Sequence, residues 1–134
     1  MALGLLKYDA LFASDINFMA TGTTDVVTAR AGKSFVAVAV YIVCKTATGS
    51  EVSVSPVFKV GNNASTYNNV ITAYTFNSGS AGAWEMAKND VNLPLLSGLV
   101  VDMDNPLMVN ITTAATGPDT FTGDVVVLGW WLNY

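Results

Sequence analysis

Nucleophilic catalysis needs a base beside its nucleophile, and this chain offers few: it has no histidine and a single cysteine, Cys44. Serine and threonine hydroxyls are abundant, but without an imidazole no Ser-His-Asp triad can form and only Ser–Lys schemes remain. Cys44 lies inside the most apolar segment, where a thiol behaves as a small hydrophobe. A lone cysteine also leaves no intrachain disulfide to make. Gly32-Lys33-Ser34 copies the end of a phosphate-binding loop. Val27 stands where that loop needs its first glycine, and a strong strand pattern follows where a helix should turn its amides toward phosphate. The tripeptide reads as a turn entering a strand. Asp102, Asp104 and Asn105 present oxygens ahead of Pro106. A calcium loop needs several further ligands and a glycine at the bend, so these are turn residues. Asn63-Ala64-Ser65 and Asn110-Ile111-Thr112 match the glycosylation acceptor pattern, which matters only in a secreted eukaryotic chain. The sequence thus points to no catalytic residue, no cofactor and no metal.

The aromatic residues are the remaining candidates. Trp84, Trp130 and Trp131, with Tyr67, Tyr74 and Tyr134, could stack on a sugar, which would make the chain a carbohydrate-binding β-sandwich module. Successive residues of a strand point to opposite faces, so one of Trp130 and Trp131 belongs to the core and the other meets solvent or a partner. A closing strand apolar on both faces fits an interface better than a sugar cleft.

These residues must be placed by strands. β-branched and aromatic runs recur along the chain between clusters of Gly, Asn, Asp, Ser and Pro. The strongest, residues 34–45 (SFVAVAVYIVCK), is apolar on both faces: Val36, Val38, Val40, Ile42 and Cys44 on one, Phe35, Ala37, Ala39, Tyr41 and Val43 on the other. Such a strand is central and covered on both sides. Residues 46–50, with Gly49, read as a turn, and 51–60 alternate with Val52, Val54, Pro56, Phe58 and Val60 inward, so 34–60 is expected to be a β-hairpin. Pro56 suits an edge or a bulge. Further strands are expected at 23–28, 99–103, 107–113 and 124–132, with 115–123 a loop. Residues 83–90 have the best helix propensity, for two turns at most, with a strand opening at Trp84 as the alternative. Residues 1–22 read as an N-terminal arm or lead-in segment and 23–134 as a single domain. About seven or eight strands at hairpin-like spacing, with at most one short helix, make an all-β antiparallel sandwich in preference to a barrel.

Composition says what surrounds that domain. Hydrophobic residues make up 51% of the 134 and charged residues 12%, against about 25% charged in an ordinary soluble chain. So little ionic surface implies that part of it is covered by another protein. The basic residues Lys7, Arg30, Lys33, Lys45, Lys59 and Lys88 are scattered and give nucleic acid no footing. The longest apolar run, residues 35–44, is far shorter than the ~20 residues of a spanning helix, so no membrane is expected. The opening MALGLLKYDALF lacks a basic n-region and is interrupted by Lys7 and Asp9, which reads poorly as a signal peptide.

The ending TTAATGPDTFTGDVVVLGWWL, the stretch FVAVAVYIVCKTATGSEVSVSPVFKVG and the scarcity of histidine and charge resemble the small virion proteins of tailed bacteriophages, capsid decoration (cement) proteins in particular. The resemblance covers about half of the chain and is one of style; it carries over no functional residue. It implies a jelly-roll-like domain, a homotrimer, seated on the capsid surface of the virion and clamping the major capsid protein lattice after synthesis in the bacterial host cytoplasm. A head–tail connector, tail or fibre-base protein would share the style. The candidate interface residues are Phe35, Tyr41, Val43, Trp131 and Tyr134. No enzymatic activity is expected.

Overall fold

The computed structural model describes residues 6–27, 30–90 and 99–132. Along these residues run nine strands: β1 (Lys7–Asn17), β2 (Gly22–Val27), β3 (Ser34–Val54), β4 (Val57–Gly61), β5 (Ile71–Thr75), β6 (Trp84–Asn89), β7 (Leu99–Asp102), β8 (Leu107–Thr113) and β9 (Thr116–Leu132). One sheet is ordered β1-β9-β3-β6, with β7 also on β3; the other is ordered β2-β8-β4-β5. β7 pairs with residues 34–37 of β3 and β6 with residues 39–43, so the two lie end to end along one edge. Counted as one broken strand, they complete the strand order of an eight-stranded jelly roll. The expected all-β, jelly-roll-like sandwich is what the chain forms, and residues 84–89 take the strand alternative rather than the helix.

The core gathers the inward residues of both sheets. Leu11, Ala13 and Ile16 of β1, Val40 and Ile42 of β3 and Val125 and Val127 of β9 meet Phe58 and Val60 of β4 and Leu107, Val109 and Ile111 of β8. At one end Phe18 stands among Phe58, Phe76 and Phe121, with ring centroids 5.0, 5.7 and 5.0 Å away. Elsewhere in the core Phe35 packs edge-on against Trp131 at 5.0 Å. Such crossed aromatic pairs add about 0.5–1.5 kcal/mol beyond the area they bury. Two glycines of β9 make room for these rings. A Cβ on Gly123 would lie 1.9 Å from the Val43 carbonyl oxygen and 2.6 Å from the Phe18 ring. On Gly129 it would lie 2.0 Å from the Val36 oxygen and 2.6 Å from the Phe35 ring.

Several expectations change. β3 and β4 are not a hairpin. β3 runs on through Gly49 to Val54, paired with β9, and the chain passes at Ser55-Pro56 into the other sheet. Gly49, at φ 85°, marks a register shift in the ladder opposite Pro118 and is not the tip of a turn. Val54 is accordingly 44% exposed, whereas Pro56, Phe58 and Val60 are buried as expected. Residues 116–123 are not a loop but the first half of β9, held by pairings such as Thr48 with Thr120 and Thr46 with Thr122. Of the segment 1–22, expected as an N-terminal arm or lead-in segment, residues 7–17 form β1, in register with β9 from Lys7–Trp131 to Asn17–Thr122. Its Leu11, Ala13 and Ile16 are core residues, the change in spacing being taken up by a bulge at Ser14-Asp15.

Candidate functional site: an apolar outer sheet face

The turn chemistry is as the sequence suggested. The Gly32 amide donates to Asp104 Oδ1 (3.0 Å), the Asp104 amide donates to Asp102 Oδ1 (3.1 Å), and Ser34 opens β3. Each carboxylate thereby accepts a backbone donor. Asn63 is locked inside its own loop: its Oδ1 accepts the amides of Asn68 and Asn69, and its Nδ2 donates to Thr66 and Asn68. Cys44 is fully buried, and burial raises its thiol pKa. Among the described residues no three His, Cys, Asp or Glu side chains gather to hold a metal, and no helix is long and apolar enough to cross a membrane.

The structure instead sets out a surface. Val38 is an extra residue in β3: Ala37 pairs with Gly129 and Ala39 with Leu128, so the inward parity changes at this bulge. Before it Phe35 and Ala37 point inward; after it Val40, Ile42 and Cys44 do. Tyr41 and Val43 are left on the outer face. On β9 the inward set is Phe121, Val125, Val127 and Trp131, so Val126, Leu128, Trp130 and Leu132 face out. On β1, Tyr8, Ala10 and Phe12 face out.

Registers align these side chains in rows across the sheet. One row runs Tyr8, Trp130, Val36, Val100; the next Ala10, Leu128, Ala39; the third Phe12, Val126, Tyr41, Met86. Val43 and Trp84 pair beyond the third. Rows on one face are about 6.7 Å apart, two residues along a strand. Trp84, Phe12 and Tyr8 are 58%, 55% and 50% exposed, and Val100 is exposed too. The rings interlock: Tyr8 meets Trp130 at 5.2 Å and 68°, Tyr41 meets Trp84 at 5.5 Å and 59°. The outcome is two aromatic ridges with a trough of Ala10 and Leu128 between them; Val36 and Ala39 belong to these rows by register but are fully covered within the chain. The outer face of the other sheet is largely polar, with Thr23, Asp25, Lys59, Thr75 and Asn110 beside Met108. Isolated exposed apolar side chains are ordinary, but a contiguous sheet face of them marks an interaction site.

No protein-family model matches the chain, and no curated protein sequence matches it. Its fold has a solved counterpart. A chain of the cyanophage Pam1 capsid asymmetric unit superposes with a TM-score of 0.54 over 96% of this chain and 86% of that one, at 13% identity. What the two share at that identity is the fold.

Of the five candidate interface residues, Tyr41 and Val43 lie on the outer face. Phe35 and Trp131 do not: both are fully buried, packed edge-on against each other inside the sandwich. The bulge at Val38 turns Phe35 inward, and the glycine at 129 opens the space that Phe35 and Trp131 share. The Trp131 indole N–H is satisfied within the chain, donating to Asp9 Oδ2 at 3.0 Å, with the Arg30 guanidinium 4.6 Å from its ring centroid. Tyr134 lies outside the described residues. The outward partner in the tryptophan pair is Trp130. Tyr8, Phe12 and Leu128 were missed and Trp84 was considered only as a sugar-stacking ring, although Tyr8, Ala10 and Phe12 already alternate with Leu11 and Ala13 in the sequence.

The face has a charged margin whose ions are paired within the chain. Lys45 Nζ lies 2.7 Å from Asp15 and 3.7 Å from Asp124, and the Asp15 hydrogen bond is the main reason its pKa is raised. Lys88 pairs with Asp90. At the end of the sandwich Glu85 accepts from the Tyr74 hydroxyl, the Asn77 amide and the Ser78 hydroxyl, pinning the small-residue segment after β5.

Proposed function

We propose that this chain is a non-enzymatic structural protein of a phage virion, a homotrimeric capsid decoration or cement protein that stabilises the head by binding its surface. The observation that carries the reading is the apolar outer face of the five-stranded sheet, on a chain with so few ions to spend on solvation. Support for the virion setting comes from the fold shared with a chain of the cyanophage Pam1 capsid asymmetric unit. Cement acts by mass action: a protein that binds the assembled lattice and not the free subunit shifts the equilibrium toward assembly by RT ln(1 + [L]/Kd), about 2.7 kcal/mol at a hundredfold excess over Kd.

The carbohydrate-binding alternative needs coplanar exposed rings, and the exposed pairs here cross at 68° and 59°. Heating heads with and without the bound protein tests the proposal. Loaded heads are expected to release their contents at higher temperature, with the gain saturating as binding sites fill. Equal stability at saturation overturns the cement role, and binding at a connector, tail or fibre base in place of the head assigns the chain there.

A further inference from the structure

The outer face has the size, the charge and the relief of a contact between copies. Aromatic side chains bury about 150–250 Å² each, so three that stand half exposed offer about 300 Å². The partly exposed aliphatic and aromatic neighbours bring the face to about 500 Å² of accessible apolar surface. A standard specific interface takes about 800 Å² from each partner, roughly 57% of it non-polar, or about 450 Å². One copy of this face therefore supplies about the apolar share of a full half-interface.

Charge narrows the occupant. The described ions at the margin, Lys45 with Asp15 and Asp124 and Lys88 with Asp90, are paired within the chain and leave the margin one net negative charge. The three apolar rows themselves contain no charged side chain, so an occupant seated on them needs no countercharge there. Two copies of a chain of net charge −4 repel over much of their surface, and the apolar rows of this face are where they meet with no charged side chain between them. Relief agrees. The ridge Phe12–Val126–Tyr41 stands one row from the trough Ala10–Leu128, so a second copy shifted by one row seats its ridge in that trough.

We infer that the outer face of the β1-β9-β3-β6 sheet is the self-association surface of this protein, Phe12 and Tyr41 of one copy filling the Ala10–Leu128 trough of the next. The inference rests on the proposed oligomeric virion role and assigns its contact to one face, leaving the polar outer face of the other sheet away from the oligomer seam.

The test is solution mass at micromolar concentration, read with circular dichroism for the full chain and three variants. The double variant Phe12→Glu/Trp84→Glu charges the ridges at exposed edge-strand positions. Ala10→Arg fills the trough and leaves the ridges intact. Thr23→Glu changes the opposite face. Wild type and Thr23→Glu are expected to run as multiples of the chain mass. The double variant and Ala10→Arg are expected to run as folded single chains, with association weakened about a hundredfold or more by the buried charge. A wild type of single-chain mass overturns the inference, as do folded face variants that keep the wild-type mass. Face variants that stay oligomeric yet no longer bind heads hand the face to the coat protein; the inference then fails while the cement role stands. Face variants that dissociate, alongside wild-type protein that adds no stability to heads, support the inference and remove the cement role.

Discussion

Replacing Gly129 by alanine probes whether the closing strand is threaded as described. The new Cβ would sit 2.0 Å from the Val36 carbonyl oxygen and 2.6 and 2.8 Å from two Phe35 ring carbons. Carbon and oxygen approach no closer than about 3.3 Å without repulsion, so β3 and β9 must part by more than an ångström or Phe35 must leave its rotamer. Overpacking of this kind costs about 1–3 kcal/mol, and loosening two ladder hydrogen bonds adds about 1 kcal/mol each. A loss of about 3–5 kcal/mol is expected, a drop in melting temperature of about 10–20 °C for a domain of this size. Gly82→Ala is the control. Gly82 has φ +84° and nothing within 4 Å of its added Cβ, so it bears only the left-handed backbone cost of about 1–2 kcal/mol. In the double variant Phe35→Leu/Gly129→Ala the ring contact is relieved but the carbonyl contact is not, so recovery is partial. Thermal unfolding followed by circular dichroism reads all three. A Gly129→Ala protein melting within about 2 °C of wild type would refute the register of β9 on β3.

Val40→Asp places a carboxylate at a fully buried site. An unpaired buried charge costs several kcal/mol, so the variant is expected to be unfolded or insoluble, and a soluble protein with the native spectrum would move β3. Trp131→Phe removes the indole donor to Asp9; a loss of about 1–2 kcal/mol in urea unfolding is expected, whereas Trp130→Phe should cost less. Tyr74 has its pKa pushed up to about 12, first by burial and then by the hydrogen bond to Glu85. Because the folded pKa lies above the ordinary value of 10, this contribution to stability is complete below pH 10 and is lost as pH rises from 10 through 12. Phenolate absorbance should therefore show one tyrosine titrating late in the folded protein, and in Glu85→Gln its midpoint should fall part of the way back. A midpoint unchanged in Glu85→Gln would remove Glu85 as a cause.

The fold was legible in the sequence because its main strands announce themselves by composition: residues 34–45 and 124–132 are apolar on both faces, and the core of the sandwich and the outer face each take one side. That same two-sidedness hid the assignment of faces. In Val-Val-Val-Leu-Gly-Trp-Trp-Leu neither parity is polar, and what decides it is the clearance at Gly129, a contact with a strand about ninety residues away. In β3 the parity changes at Val38 through a bulge that no local pattern marks. Gly49 and the Thr-rich residues 116–122 look like loop chemistry in isolation. They are strand because each pairs with the other, and only the tertiary ladder supplies those partners. The turns at Gly32 and at Asp102–Asp104 were readable, since turn residues act through their own neighbouring backbone.

Electron cryomicroscopy of virions carrying the protein, with the sandwich fitted into the density, tests the central claim most directly. Expected is density for the chain on the head, with Tyr8, Phe12, Tyr41 and Trp84 covered by a neighbouring protein molecule. A chain absent from the particle, or present with that face bare to solvent, would contradict it.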